Sequence, residues 1–275
     1  MSTFRIMTRN QKRLSQAAWP LLALSFAPAH AAISVTSPAF TYSQTFDTLA
    51  ASGATNAWAD DSTLPGWSLV NAVGASVPTY ATDNTTNTGG FRSFGDTGSS
   101  ERAFGGVASG GAYFGSPASG AVAGWIAVAF TNGTGAALNG FNVAFNGEQW
   151  RNGGNTSAQT MVLEYGYGAS FGSVTSWTAP GGSFDFTSPV IGSTAAAVAG
   201  NSAGLVSGLG GSISSNWAAG DTLWLRWVER NDVGNDHGLA IDNLSFSVSA
   251  VPEPGAVALW LAGLAAVGFV ARRRN

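Results

Sequence analysis

The stretch NGEQWRNGGN, residues 146–155, brings together a carboxylate (Glu148), an indole (Trp150) and a guanidinium (Arg151). A flat indole can stack on a sugar ring, and the two charged groups can hydrogen-bond sugar hydroxyls. These residues are therefore a candidate carbohydrate-binding site. In the alternative interpretation Trp150 packs in the core and Glu148 pairs with an arginine such as Arg226, because buried charges require partners.

A second polar stretch, RNDVGNDHGLAIDN at residues 230–243, is rich in the oxygen donors that Ca²⁺ prefers. Its candidate metal ligands are Asp232, Asn235, Asp236 and Asp242. Their spacing does not fit an EF-hand loop. A solvated turn with side-chain caps is the alternative, and Ca²⁺ is the one cofactor that the sequence suggests.

Few residues are suited to catalysis. The chain has no cysteine, which excludes disulfides, thiol nucleophiles and thiolate metal sites. His237 has no Gly-x-Ser-x-Gly motif beside it, so we expect a structural histidine. A glycosidase needs two carboxylates in one cleft, and Glu148 with Glu164 on an adjacent predicted strand is the pair available. We therefore expect a non-enzymatic body, with a secreted hydrolase as the alternative.

The elements that carry these residues are predicted to be short strands. Apolar residues alternate at 141–145, 161–165 and 223–227, which indicates strands with one buried face. No segment before residue 256 has helical periodicity longer than a turn or two. We predict an all-β fold, an antiparallel β-sandwich of the jelly-roll type. The predicted turns between strands include Asn132-Gly133, Asn139-Gly140, Asn146-Gly147 and Asn152-Gly153-Gly154.

Residues 32–250 form one predicted domain with an acidic composition. This segment has eight tryptophans, enough to build a core, and five arginines against fourteen carboxylates, a net charge of −9. Such a surface repels phosphates, so we expect no nucleic-acid partner.

The first 31 residues have the pattern of a secretory signal peptide. Basic residues precede an apolar segment at 17–26, and Ala29-His30-Ala31 is a small-x-small cleavage site. A first transmembrane helix is the alternative, but the apolar run is short and is flanked by Pro20 and Pro28.

The C-terminal segment, residues 251–275, combines a turn, an apolar helix and a basic end. Residues 256–271 lack charge and would extend about 24 Å as a helix, short for a span but usable if Arg272, Arg273 and Arg274 snorkel. By the positive-inside rule these arginines stay cytoplasmic, which leaves the body outside.

Pro252, Glu253 and Pro254, followed by an apolar helix and an arginine cluster, resemble the PEP-CTERM sorting signal of Gram-negative bacteria. The resemblance implies recognition by an exosortase, cleavage near the Pro-Glu-Pro motif, and passage from an inner-membrane intermediate to the cell envelope or extracellular matrix. The body would then bind or pack with exopolysaccharide. A permanent membrane anchor is the alternative interpretation.

Residues 40–248 are also similar to uncharacterised bacterial extracellular β-sandwich modules, through the segments FDTL, GEQWR, LWLRW and GLAID. This similarity implies a fold and an extracellular address but no activity. Asn243 stands where the modules lead us to expect a second aspartate, which would weaken a Ca²⁺ site that used this position.

Overall fold

The structure is a computed structural model that describes residues 32–82 and 84–249. The predicted signal peptide and the predicted sorting signal, with its transmembrane helix, lie outside these residues. Within the described ranges no helix is long and apolar enough to cross a membrane. The helices there are three single 3-10 turns at Ala112–Phe114, Phe171–Ser173 and Gly182–Phe184.

Strands make up the rest of the regular structure. In chain order they are β1 (Ile33–Val35), β2 (Thr41–Gln44), β3 (Asn56–Ala57), β4 (Trp67–Asn71), β5 (Thr79–Tyr80), β6 (Gly90–Phe94), β7 (Ala103–Val107), β8 (Val122–Asn132), β9 (Leu138–Asn152), β10 (Thr160–Tyr167), β11 (Phe186–Thr187), β12 (Ala196–Ala197), β13 (Leu205–Trp217), β14 (Thr222–Arg230) and β15 (Gly238–Ser249).

The strands form two large sheets and one small one. The first sheet has the order β1-β8-β14-β10-β11, with β4 also paired to β8. The second sheet has the order β12-β9-β15-β7-β6, with β13 also on β9 and β2 on β15. Strands β3 and β5 form a separate pair. All these pairings are antiparallel except that of β1 with β8.

The two large sheets pack face to face through their alternate apolar residues. Phe130 of the first sheet stacks on Phe246 of the second with ring centroids 3.9 Å apart, and Phe145 meets Trp227 edge-on at 5.6 Å. These residues belong to one continuous core. The antiparallel all-β prediction is therefore confirmed, and the finer jelly-roll assignment stays a prediction.

Two predicted turns were wrong. Asn139-Gly140 and Asn146-Gly147 both lie inside the long strand β9. Their glycines serve close packing instead, since a Cβ at Gly140 would lie 2.1 Å from the carbonyl oxygen of Ile213, and one at Gly147 2.2 Å from the Phe186 ring.

Each large sheet also has an outer face, which points away from the shared core. On β9 the core side chains are those of Phe141, Val143 and Phe145, so Glu148 and Trp150 lie on the outer face of the second sheet. On β10 the core side chains are those of Met161 and Leu163, so Glu164 lies on the outer face of the first sheet.

Candidate functional site

Trp150 is buried although it lies on the outer face of the second sheet. Its side chain is 0% exposed and stacks parallel to Phe94, with ring centroids 6.5 Å apart. The indole Nε1 donates a hydrogen bond to Glu148 Oε2 at 2.9 Å. The indole therefore presents no open face on which a sugar could stack. This corrects the candidate carbohydrate-binding role of Trp150 and agrees with the alternative that it packs in a core.

A loop covers this part of the outer face. Residues 198–204 link β12 to β13, and the backbone N–H of Val198 donates to the carbonyl of Trp150 at 2.9 Å. At Gly200 an added Cβ would come within 2.2 Å of the indole ring. In the same loop Asn201 Nδ2 donates to Glu101 Oε2 at 2.6 Å.

Arg151 is also occupied by the fold. It is 7% exposed, and its guanidinium donates through Nη1 to the carbonyl of Asn84 at 3.1 Å and through Nε to Asn87 Oδ1. Asn87 Nδ2 in turn donates to the carbonyl of Gly153 at 2.8 Å. Arg151 thus anchors the segment before β6 to the end of β9 rather than standing free beside a sugar.

The predicted arginine partner of Glu148 binds another acid. Arg226 on β14 lies directly opposite Glu164 on β10, and its Nη2 is 2.5 Å from Glu164 Oε2. Glu148 belongs to the other sheet and bonds to Trp150 instead. Glu148 and Glu164 are therefore not on adjacent strands, and they lie on the outer faces of two different sheets rather than in one cleft.

Three of the four predicted Ca²⁺ ligands lie in the loop between β14 and β15. Asp236 Oδ1 accepts from the backbone N–H of Asp232 at 2.7 Å, which closes a turn. The carbonyl of Asn235 accepts from Asn155 Nδ2 at 3.0 Å and from Gln159 Nε2 at 2.9 Å. This geometry is that of a side-chain-capped turn, the alternative considered for this stretch.

Burial changes the pKa values of the acids around this loop. Burial raises the pKa of Asp236 to about 7 and that of Glu229, on β14, to about 8. The charges of Asp236 and Asp232 raise the pKa of Glu229 further. The fourth predicted ligand, Asp242, is on β15 and groups with other acids, described below.

His237 has a structural role in the same loop. It is 2% exposed, and its Nδ1 accepts from the backbone N–H of Gly153 at 3.0 Å. Its own backbone N–H donates to Gln159 Oε1 at 2.5 Å. Burial lowers the pKa of His237, which favours the neutral ring that this acceptor role requires.

The structure brings together a carboxylate cluster that the sequence did not predict. One ligand oxygen each from Glu101, Glu148 and Asp242 lies within 4.8 Å of the other two. Burial raises the pKa of Glu148 to about 8 and that of Asp242 to about 7, and the charge of Glu101 raises both further. In the sequence, Glu148 and Asp242 fall in two different candidate sites, and Glu101 belongs to no motif that could have been recognised.

Asn243 supports this cluster from outside. It adopts a left-handed backbone with φ 52°, a conformation that asparagine tolerates better than most residues. Its Nδ2 donates to Asp242 Oδ2 at 2.6 Å. Asn243 thus orients Asp242. An ionised aspartate at this position could not do so, because it has no hydrogen-bond donor.

A group of aromatic side chains surrounds Arg226 on the outer face of the first sheet. The guanidinium carbon lies 3.7 Å from the ring centroid of Trp177, 4.8 Å from that of Trp125 and 5.7 Å from that of Phe171. All three aromatic side chains are half-buried. We call Trp125, Phe171, Trp177, Arg226 and Glu164 the aromatic patch.

One comparison with known proteins identifies a motif in this chain. Residues 250–274 match the family model described as the PEP-CTERM protein-sorting motif. No curated protein and no solved structure matches the chain. The match confirms the predicted motif that contains Pro252, Glu253, Pro254 and the three arginines, and it supports an exported protein that an exosortase targets.

Proposed function

We propose that this chain is an envelope or extracellular-matrix protein that an exosortase releases by cleavage near Pro252, Glu253 and Pro254, and that its β-sandwich body acts without catalysis. The single observation that carries this proposal is the PEP-CTERM motif at residues 250–274. Proline on both sides of Glu253 disfavours a helix at the motif, which suits recognition by a protease.

Intact-mass measurement on protein from its native host tests the processing. The expected product begins near Ala32 and lacks the residues after the Pro-Glu-Pro motif. Replacing Pro252, Glu253 and Pro254 by alanine should leave the precursor in the inner membrane. Pro180→Ala, in a loop of the body, is the matched control and should be released normally. Membrane-held protein that retains all three arginines would favour a permanent anchor instead, and released protein that retains them would contradict cleavage near the motif.

The positions of Glu148 and Glu164 support a non-catalytic body. The nominated pair, Glu148 and Glu164, lies on the outer faces of two different sheets, and a glycosidase needs its two carboxylates about 5–10 Å apart across one cleft. Glu164 is also paired with Arg226. Hydrolysis of exopolysaccharide by the purified body would contradict this part of the proposal.

We place the contact with exopolysaccharide at the aromatic patch. This face combines half-buried rings with a carboxylate and a guanidinium, the chemistry first sought at residues 148–151. Trp177 lies in the loop between β10 and β11, so its ring can be removed without opening the core between the sheets.

Trp177→Ala should therefore weaken binding to exopolysaccharide purified from the host while leaving the melting temperature within a few degrees of wild type. Phe184→Ala, which removes a half-buried ring that packs on the main core, is the control and should bind normally. Co-sedimentation with the polysaccharide, with neutral dextran as the comparison, measures both variants. Unchanged binding by a folded Trp177→Ala protein would remove the patch from consideration.

A further inference from the structure

The cluster of Glu101, Glu148 and Asp242 is built by three neighbouring segments of the second sheet. Strand β15 lies between β7 and β9. Ala240 on β15 is directly opposite Glu148 on β9, so Asp242, two residues further along, lies diagonally across on the same face. Glu101 comes two residues before the start of β7, on the other side of β15.

The separation of these carboxylates fits one shared ion. Ca²⁺ binds oxygen at about 2.3–2.6 Å, so two oxygens on opposite sides of one ion are about 4.6–5.2 Å apart. The three ligand oxygens all lie within 4.8 Å of one another, so no pair is too far apart to share one Ca²⁺ ion.

A second observation points to a missing ligand. Asp242 is 2% exposed, and its Oδ1 is buried without a hydrogen-bond partner, as is Oε1 of Glu101. Buried acceptors are normally satisfied, so each such oxygen requires an explanation. Two unpartnered oxygens from different carboxylates of one cluster are the arrangement that a bound cation would satisfy.

Arg102 is a neighbouring side chain whose positive charge acts on Glu101, but the two form no ion pair. Within residues 32–82 and 84–249 none of the three carboxylates makes an ion pair. Arg102 follows Glu101 directly, but its Nη2 donates to the carbonyl of Ser93 at 2.7 Å and its Nε to Ser93 Oγ at 3.1 Å.

We propose that Glu101, Glu148 and Asp242 form a Ca²⁺ site on the outer face of the second sheet, distinct from the loop of Asp232, Asn235 and Asp236. Hard carboxylate oxygens suit Ca²⁺ with its loose coordination geometry better than Mg²⁺, which demands closer, octahedral ligands. The site lies beneath the loop of residues 198–204, which is tied to Glu101 through Asn201. A bound ion would therefore stabilise both the sheet and its cover.

Thermal unfolding of the body with CaCl₂, MgCl₂ or EDTA provides the first test. Millimolar Ca²⁺ should raise the melting temperature, because an ion that binds only the native state stabilises it by mass action, and EDTA should reverse the rise. MgCl₂ at the same concentration should have a smaller effect. An unchanged melting temperature at 10 mM CaCl₂ would overturn the proposal.

Two isosteric variants locate the ion. Asp242→Asn should weaken Ca²⁺ binding about tenfold or more in calorimetric titration, since it removes one charge from the ligand set. Asp236→Asn, a buried acid of the β14–β15 loop, is the matched control and should bind like wild type. Loss of binding in Asp236→Asn with retention in Asp242→Asn would assign the ion to the loop and contradict the proposed site.

Luminescence of Tb³⁺, a Ca²⁺ substitute, gives an independent readout that does not depend on stability. The Trp150 indole is hydrogen-bonded to Glu148, so excitation of tryptophan should sensitise Tb³⁺ bound at the cluster. Excess Ca²⁺ should displace Tb³⁺ and so remove this emission, and the Asp242→Asn variant should lack it. Equal emission from the wild-type and Asp242→Asn proteins would overturn the assignment.

Discussion

The hydrogen bond from Trp150 Nε1 to Glu148 Oε2 joins a buried ring to a buried carboxyl group. Burial raises the pKa of Glu148 to about 8, and the indole donor opposes that rise. The ring therefore has two structural roles, since it fills the small outer core with Phe94 and satisfies one oxygen of the acid. An indole with these roles is required for stability.

Truncation of Trp150 should separate these two contributions. Trp150→Ala is expected to cost about 3–5 kcal/mol of unfolding free energy through the lost ring and the cavity. Trp150→Phe keeps most of the apolar contact but leaves Glu148 Oε2 without its donor, at about 1–3 kcal/mol. Urea denaturation of both variants measures the costs. A Trp150→Ala protein as stable as wild type would contradict the burial of this side chain.

Part of this site could be predicted from residue types alone. The core interpretation of Trp150 rested on the need of buried charges for partners, and the structural interpretation of His237 on the absence of a Gly-x-Ser-x-Gly motif. The structure agrees with each. Glu101 could not be found, because its contact with Glu148 joins segments 47 residues apart without a local motif.

At the scale of elements, the apolar alternation at 141–145, 161–165 and 223–227 located parts of β9, β10 and β14 correctly. The same pattern assigned only the apolar face to the interior. It gave no sign that the loop of residues 198–204 would cover the other face of β9, because a loop of small and polar residues carries no periodic signal.

The contact of this loop with the sheet predicts the effect of Gly200→Ala. The added methyl group would come within 2.2 Å of the Trp150 ring, so the loop must move outwards at a cost of about 1–3 kcal/mol. A lower melting temperature and a red-shifted tryptophan emission are expected. Gly172→Ala is the matched control, because its Cβ would meet no atom within 4 Å. Equal behaviour of the two variants would contradict the covering role of the loop.

At the scale of the whole molecule, the body carries a net charge of −9 and still buries several of its acids. Glu148 and Asp242 belong to the proposed Ca²⁺ site, whereas Glu229 lies at the end of β14 and Asp236 in the loop that follows it. Burial raises the pKa of each of these four groups. At a pH between the ordinary and the raised pKa of such a group, the folded chain therefore holds a proton that the unfolded chain has released.

The raised pKa of Glu229 predicts the direction in which folding stability changes with pH, and this direction can be measured. Its pKa rises from the ordinary 4.5 to about 8 in the folded chain, where its Oε1 is buried without a hydrogen-bond partner. As the pH rises between these values the unfolded state ionises first, so stability falls by at most about 1.4 kcal/mol per pH unit for this one group. Urea denaturation in EDTA at pH 5, 6.5 and 8 should show stability decreasing with pH, the opposite of a protein held by salt-bridged carboxylates.

Glu229→Gln should make the decrease shallower, while Asp96→Asn, at an exposed loop position, should leave it unchanged. A Glu229→Gln profile as steep as that of wild type would show that this carboxyl group is not the buried acid on which the pH dependence rests.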